Sequence, residues 1–161
     1  VMLSRLTNYS DLTVYPSCGA ADVPTGSWYT NAVNAFYDAG IEKASYFRPN
    51  AAISRAELSV WLYRLSGSPN VASGTIAFPD VATAGETHDA VAYGQLHGWI
   101  NGYPDGTFRP NYSITRAEAA KLINRVTSRS LRVQAIVTQF TDVPASHWAY
   151  QEIISAANRA E

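Results

Sequence analysis

Two short stretches of this 161-residue sequence place an arginine where chemistry with an anion is possible, Ser54-Arg55-Ala56-Glu57 and Thr115-Arg116-Ala117-Glu118. Each fits a capping box, in which the hydroxyl accepts from the backbone N–H three residues on and the glutamate reaches back to the cap's own N–H. Ser54, Thr115, Glu57 and Glu118 are thereby explained as helix starts. The arginines are not. At the first helical position a cation meets the positive end of the helix dipole, at a cost of about 0.3–1 kcal/mol. One reading is an anion pocket, with the guanidinium fork clasping a carboxylate beside free backbone N–H groups. The other is a bridge to an acidic side chain or a loop carbonyl of a neighbouring unit.

A second candidate is the loop Asn101-Gly102-Tyr103-Pro104-Asp105-Gly106-Thr107. Pro104 presets φ at the second turn position and Asp105-Gly106 completes a tight turn, so the turn alone accounts for the glycines and the aspartate. Tyr103 beside small polar groups also offers a ring face on which a sugar can stack. Catalytic constellations are thin. Asp105 and Glu118 are a conceivable glycosidase carboxylate pair, but a turn and a capping box already explain them. His88, His97 and His147 lack metal-ligand spacing, and no cysteine joins them. Cys18 sits in a Ser-Cys-Gly loop without a recognisable histidine partner, more a bystander than a nucleophile. The sequence therefore predicts no catalytic residues, no metal site and no cofactor.

The elements that position these residues are repeats. Asp22-Val23-Pro24, Asp80-Val81-Ala82 and Asp142-Val143-Pro144 recur, with Phe78 and Phe140 two residues before their aspartates. Trp28 and Trp148 share an offset after Asp22 and Asp142, where the middle copy has Glu86. An apolar helical spacing follows in each copy: Tyr29, Ala32, Val33 and Phe36; Ala90 and Val91 between Thr87 and Gly94; Tyr150, Ile153, Ile154 and Ala157. A second helix closes the unit. Phe47-Arg48-Pro49-Asn50 and Phe108-Arg109-Pro110-Asn111 precede the two capping boxes at a constant offset of 61. Leu58, Trp61, Leu62 and Leu65 form one predicted apolar face, and Ala119, Leu122, Ile123 and Val126 its counterpart.

The chain thus reads as the tail of one repeat (1–8), a repeat over 20–66, the best-formed repeat over 78–127, and the first half of another over 140–161. Residues 66–79 and 127–139 read as connectors, the latter with a possible short strand at Val133–Val137. A helix–loop–helix unit cannot bury its apolar faces alone, so about three must pack together. The expected fold is all-α. It begins in what reads as mid-helix, as a fragment of a longer polypeptide would. Apolar residues make up 47% and charged residues 16%, which excludes disorder. Twelve basic against thirteen acidic side chains leave a net charge of −1, without the basic footprint that nucleic acid requires. No stretch approaches the ~18 apolar residues of a membrane span, and the lone cysteine permits no internal disulfide.

Phe-x-Asp-Val, a tryptophan, Ile-Asn-Gly-Tyr-Pro-Asp-Gly-Thr-Phe-Arg-Pro and Ile-Thr-Arg-Ala-Glu together resemble the S-layer homology family. The match is close over Gly102–Glu118, looser over 22–65 and partial over 140–161. The resemblance implies three repeats in a pseudo-threefold helical bundle, with loops and second helices projecting as prongs. It implies a non-catalytic anchor at the bacterial cell surface, extracellular, holding a larger protein to the cell wall. Its partner would be a secondary cell-wall polysaccharide whose terminal sugar carries a pyruvate ketal, bound in clefts between prongs. Carried over by position, the carbohydrate-binding candidates are Arg116, Thr115, Arg55 and Ser54, then Gly102, Tyr103, Asp105, Gly106, Trp28 and Trp148.

This chain departs from the pattern in three places. The first repeat lacks Gly-Tyr-Pro-Asp-Gly-Thr, the middle repeat has Glu86 in place of tryptophan, and no contiguous third repeat exists. Residues 1–6 and 140–161 are expected to pack as two halves of a split repeat, or self-association completes the bundle. The alternative function is a structural, self-associating module of a surface-layer protein without sugar binding. The arginines discriminate: solvent-open clefts favour the anchor, and engagement between repeats favours the structural module.

Overall fold

The computed structural model describes residues 14–71, 78–127 and 140–157. Among these the chain is all-α: α1 (Thr30–Asp38), α2 (Arg55–Leu65), α3 (Glu86–Leu96), α4 (Arg116–Val126) and α5 (Tyr150–Ala157). Extended pairing among the described residues is confined to a single bridge between Ser54 and Ser113. The expected split-repeat packing of 1–6 and the short strand at Val133–Val137 fall outside the described residues.

Both capping boxes form. Ser54 Oγ accepts from Glu57 N at 3.1 Å and Glu57 Oε2 accepts from Ser54 N at 2.8 Å. Thr115 and Glu118 repeat this at 3.2 and 2.9 Å, which starts α2 and α4 at homologous residues. Glu86 opens α3, where a carboxylate suits the helix dipole. It also receives Arg64 of α2 through Nε and a terminal nitrogen, both at 2.6 Å. The residue that breaks the tryptophan pattern is therefore an inter-helix ion pair.

The chain divides into two compact units, Val1–Ser113 and Ile114–Glu161. This boundary lies half a repeat away from the sequence repeats. The cause is packing: α2 lies against α3 and α4 against α5, so the second helix of one repeat joins the first helix of the next. Val33, Phe36, Ile41, Leu58, Leu62, Phe78, Val91, Ile100 and Phe108 fill the first core. Ala120, Ile123, Ala149 and Ile154 fill the smaller second one.

The buried faces are rotated slightly from the sequence expectation. In α2 the buried residues are Arg55, Leu58, Ser59, Leu62 and Tyr63. Trp61 is only half-buried, stacked on Phe47 with ring centroids 5.9 Å apart and edge-on to Phe36 at 5.4 Å. In α4 Ala120, Ile123 and Asn124 are buried in place of the predicted Ala119, Leu122 and Val126. Asn124 is half compensated for its burial: Nδ2 donates to the Glu152 carbonyl of α5 at 2.9 Å, while its buried Oδ1 has no partner among the described residues.

Candidate functional site

The loop of the second repeat folds as its sequence demands. Gly106 N donates to Tyr103 O at 2.9 Å across Pro104-Asp105, and Tyr103 N donates to Thr107 O at 2.8 Å. Asp105 Oδ1 accepts from Thr107 N at 3.0 Å and from its hydroxyl at 2.6 Å. Asp105 Oδ2 accepts from Arg109 at 2.7 Å. The Thr107 hydroxyl and then Arg109 hold the Asp105 carboxyl well below its usual range. Gly102 has φ +68°, and a Cβ there would run into the Phe78 ring and the Thr107 carbonyl. That glycine is a packing requirement, whereas Gly106 (φ +80°) faces open space.

Sequence reasoning missed what holds this loop. Asp80, from the recurring Asp-Val pair, accepts from Phe108 N at 2.9 Å and Arg109 N at 2.7 Å. Burial acts to raise the Asp80 carboxyl, but these two N–H bonds outweigh it and hold the group below 3.8. Asp22 does the same for Phe47 N (2.8 Å) and Arg48 N (2.6 Å) in the first repeat. Arg48 and Arg109 both carry positive φ, 56° and 60°, a conformation costly for arginine that the paired N–H bonds sustain. The signal was present in the sequence: Asp-Val and Phe-Arg-Pro recur together.

From the other side the loop is held by α2. Arg55 N donates to Tyr112 O and Ala56 N to Pro110 O, both at 2.9 Å. Arg55 Nε donates to Phe108 O at 2.8 Å. Its guanidinium lies 4.7 Å from the Tyr103 ring centroid and 4.8 Å from that of Phe108, and the residue is only 8% exposed. The structure thus brings Arg55 and Tyr103 together, with a loop carbonyl as the arginine's acceptor. Arg109 joins them, 4.1 Å from Tyr103 and 5.7 Å from the exposed Tyr112. Beside this stack opens a cleft of about 510 Å³ lined by Asp80, Asp105, Thr107, Arg109, Pro110, Asn111 and Tyr112. Arg109 and Tyr112 were not singled out from sequence as binding residues.

The first repeat builds a smaller version. Its loop is organised by Glu42, which accepts from Lys43 N, Ala44 N and Trp61 Nε1 at 2.6, 2.8 and 3.0 Å. Arg48 pairs with Glu57 instead of a loop aspartate. The resulting pocket, about 160 Å³, is bounded by Glu42, Phe47, Arg48, Glu57 and Trp61 among others.

In the second unit Thr115 and Arg116 are exposed. Thr115 Oγ1 serves its cap, also donating to Glu118 Oε2 at 2.8 Å, as Ser54 Oγ serves the other. Among the described residues Arg116 has no hydrogen-bond or ion-pair partner. Trp148 is 58% exposed, with Lys121 Nζ 5.3 Å from its ring centroid and His147 stacked on it. Trp28, 81% exposed, touches Tyr29 edge-on. Among the described residues no group of three or more His, Cys, Asp and Glu could hold a metal ion, and no helix is long and apolar enough to cross a membrane.

Asp-anchored Phe-Arg-Pro turns and capping boxes, each present twice, agree with what comparison of the sequence returns. The S-layer homology domain matches residues 21–59 and 77–120. The chain belongs to that family. It is 41% identical over 111 residues to the cellulosome-anchoring protein of Acetivibrio thermocellus, covering 66% of this chain and 24% of that protein. It is 34% identical to the amylopullulanase of Thermoanaerobacterium thermosulfurigenes over 80% of this chain, but only 7% of that protein. With the surface-layer 125 kDa protein of Lysinibacillus sphaericus it shares 31% over 78% of this chain and 11% of that protein. The chain therefore spans at most about a quarter of these relatives.

Proposed function

We propose that this chain is a non-catalytic anchoring module that binds a secondary cell-wall polysaccharide and holds a larger protein at the bacterial cell surface. The observation that carries the reading is the cleft beside the second-repeat loop, in a member of this family. Its polar lining (Asp105, Thr107, Asn111), exposed Tyr112 and partly exposed Arg109 suit a sugar: hydroxyl partners, a ring face to stack on, and a cation. In the second unit, taken by itself, Arg116 is a separate candidate contact, an exposed guanidinium at a helix N-terminus suited to the carboxylate of a pyruvate ketal. Thr115 and Trp148 belong to the same unit, and Trp28 is an exposed ring in the first repeat.

A structural, self-associating module is the second reading. It is favoured by Arg55, whose Nε is committed to a loop carbonyl of the next repeat. Co-sedimentation with purified bacterial sacculi, before and after chemical removal of pyruvate ketals, separates the two. The anchor predicts binding that falls with the ketals and in Arg116→Ala. Binding that is absent from both preparations, or equal for wild type and Arg116→Ala, rejects the carboxylate contact.

A further inference from the structure

Tyr103 is the aromatic residue that the loop sequence offers to a sugar, but it does not line the cleft of about 510 Å³ beside that loop. Two guanidiniums pack on its ring, those of Arg109 at 4.1 Å and Arg55 at 4.7 Å. The ring that does line the cleft is Tyr112, and it is 64% exposed. Its backbone is pinned on both sides: Tyr112 N donates to Arg109 O at 3.2 Å, and Tyr112 O accepts from Arg55 N at 2.9 Å. A ring carried on a fixed backbone loses little freedom when a ligand settles on it. The first repeat has Ala51 at the equivalent offset, so its smaller pocket lacks this ring.

The charges of the lining are weighted against an anion. Asp80 and Asp105 are two carboxylates against one guanidinium, and Arg109 already donates to Asp105 Oδ2 at 2.7 Å. Both carboxyls sit below their ordinary value and are charged at neutral pH: Asp105 through the Thr107 hydroxyl and Arg109, Asp80 because burial, which acts to raise it, is outweighed by two backbone N–H bonds. An acidic sugar entering here meets like charge. What the cleft offers instead is acceptor and donor capacity. Asp105 Oδ2 takes one hydrogen bond in the structure and has room for a second, and the exposed Asn111 amide has no partner among the described residues.

We propose that this cleft is a subsite for an uncharged pyranose of the wall polymer, stacked on Tyr112 with its hydroxyls on Asp105 and Asn111. The assignment rests on the anchoring reading and names the kind of sugar this site takes. Tyr112 is the specificity-determining residue: its ring matches the C–H face of a pyranose, and the carboxylates beside it turn away an acidic one. A ketal-bearing terminal sugar therefore belongs elsewhere on the chain, and the uncharged residues of the polymer belong here.

The test titrates the 161-residue chain with polysaccharide released from purified sacculi, in one preparation with its pyruvate ketals and in the other stripped of them. Saturable binding of the stripped polymer is expected, changing less than about twofold between about 0.05 and 0.5 M salt, because the cleft pairs no ligand charge. Tyr112→Ala and Tyr112→Ile should weaken binding of both polymers roughly fivefold or more, and Tyr112→Phe less than about twofold, since the loss follows the ring and not its bulk. Circular dichroism checks that these variants of an exposed side chain remain folded. Stripped polymer that the chain does not bind, or that Tyr112→Ala binds as well as wild type, overturns the proposal; the anchoring reading stands wherever the ketal-bearing polymer still binds. A Tyr112→Ala loss confined to the ketal-bearing polymer also overturns it, because the cleft would then be reading the acid. Binding of neither polymer rejects the proposal and the anchoring reading together.

Discussion

Arg55 and Arg116 are the same residue of the same motif, yet truncating them should have very unequal consequences for stability. Arg55→Ala removes a charge-assisted bond to a buried carbonyl, worth about 1.5–3 kcal/mol. It also removes guanidinium contacts with two aromatic rings, each about 0.5–2 kcal/mol. The Tyr103 ring is shared with Arg109, so these do not add fully. Relief of the unfavourable helix-dipole position returns about 0.3–1 kcal/mol. The net expectation is a loss of about 2–4 kcal/mol, or a fall of about 8–17 °C in melting temperature for a unit of this size. Arg116→Ala removes no bond among the described residues and should stay within about 0.5 kcal/mol. Urea titration followed by tryptophan fluorescence measures both, with Arg55→Lys as the intermediate: it keeps the charge but not Nε, and should recover less than half the loss. Equal effects of the two alanine variants, or an Arg55→Ala effect under about 0.5 kcal/mol, would refute the assignment of Arg55 as the pin between repeats.

Gly102→Ala combines a left-handed backbone with a Cβ against the Phe78 ring and should cost about 2–4 kcal/mol by thermal melting, whereas Gly106→Ala, facing open space, should cost only about 1 kcal/mol. Asp80→Asn retains one acceptor oxygen and loses the other, so it should destabilise less than Asp80→Ala; amide exchange at Phe108 and Arg109 should rise in both, and unchanged exchange would contradict the anchor. Acid should unfold the first unit. Asp22, Asp80 and Asp105 are held below 3.8, and Glu86, through Arg64, below 4.5. Their unfolded forms bind protons more readily, so the stability they contribute is present above those ordinary values and lost as pH falls through the lower folded ones. Melting temperature should be insensitive to these groups near neutrality and decline once the pH drops below about 4.

Much of this architecture was legible from local signals. Hydroxyl-x-x-Glu spacing located the starts of α2 and α4, because a capping box is satisfied within four residues. Tyr-Pro-Asp-Gly specified its turn for the same reason. The exact buried faces of α2 and α4 were not legible, since tertiary neighbours decide whether Trp61 or Tyr63 goes inside. Glu86 looked like a degraded tryptophan until Arg64, 22 residues earlier, was seen to pair with it. Asp22 and Asp80 recurred without an evident role because their partners lie 25 to 29 residues away.

The sequence by itself determined that this chain is a tandem of capped helix–loop–helix repeats of the S-layer homology family, since capping, turn chemistry and repetition are properties of neighbouring residues. Only the tertiary structure decided what each copy of a repeated residue does. One Thr/Ser-Arg-Ala-Glu arginine is buried under the following repeat's loop and the other stands exposed. The motif is the same in both places; the burial of Arg55 rests on a carbonyl 53 residues away, a contact that no local spacing encodes.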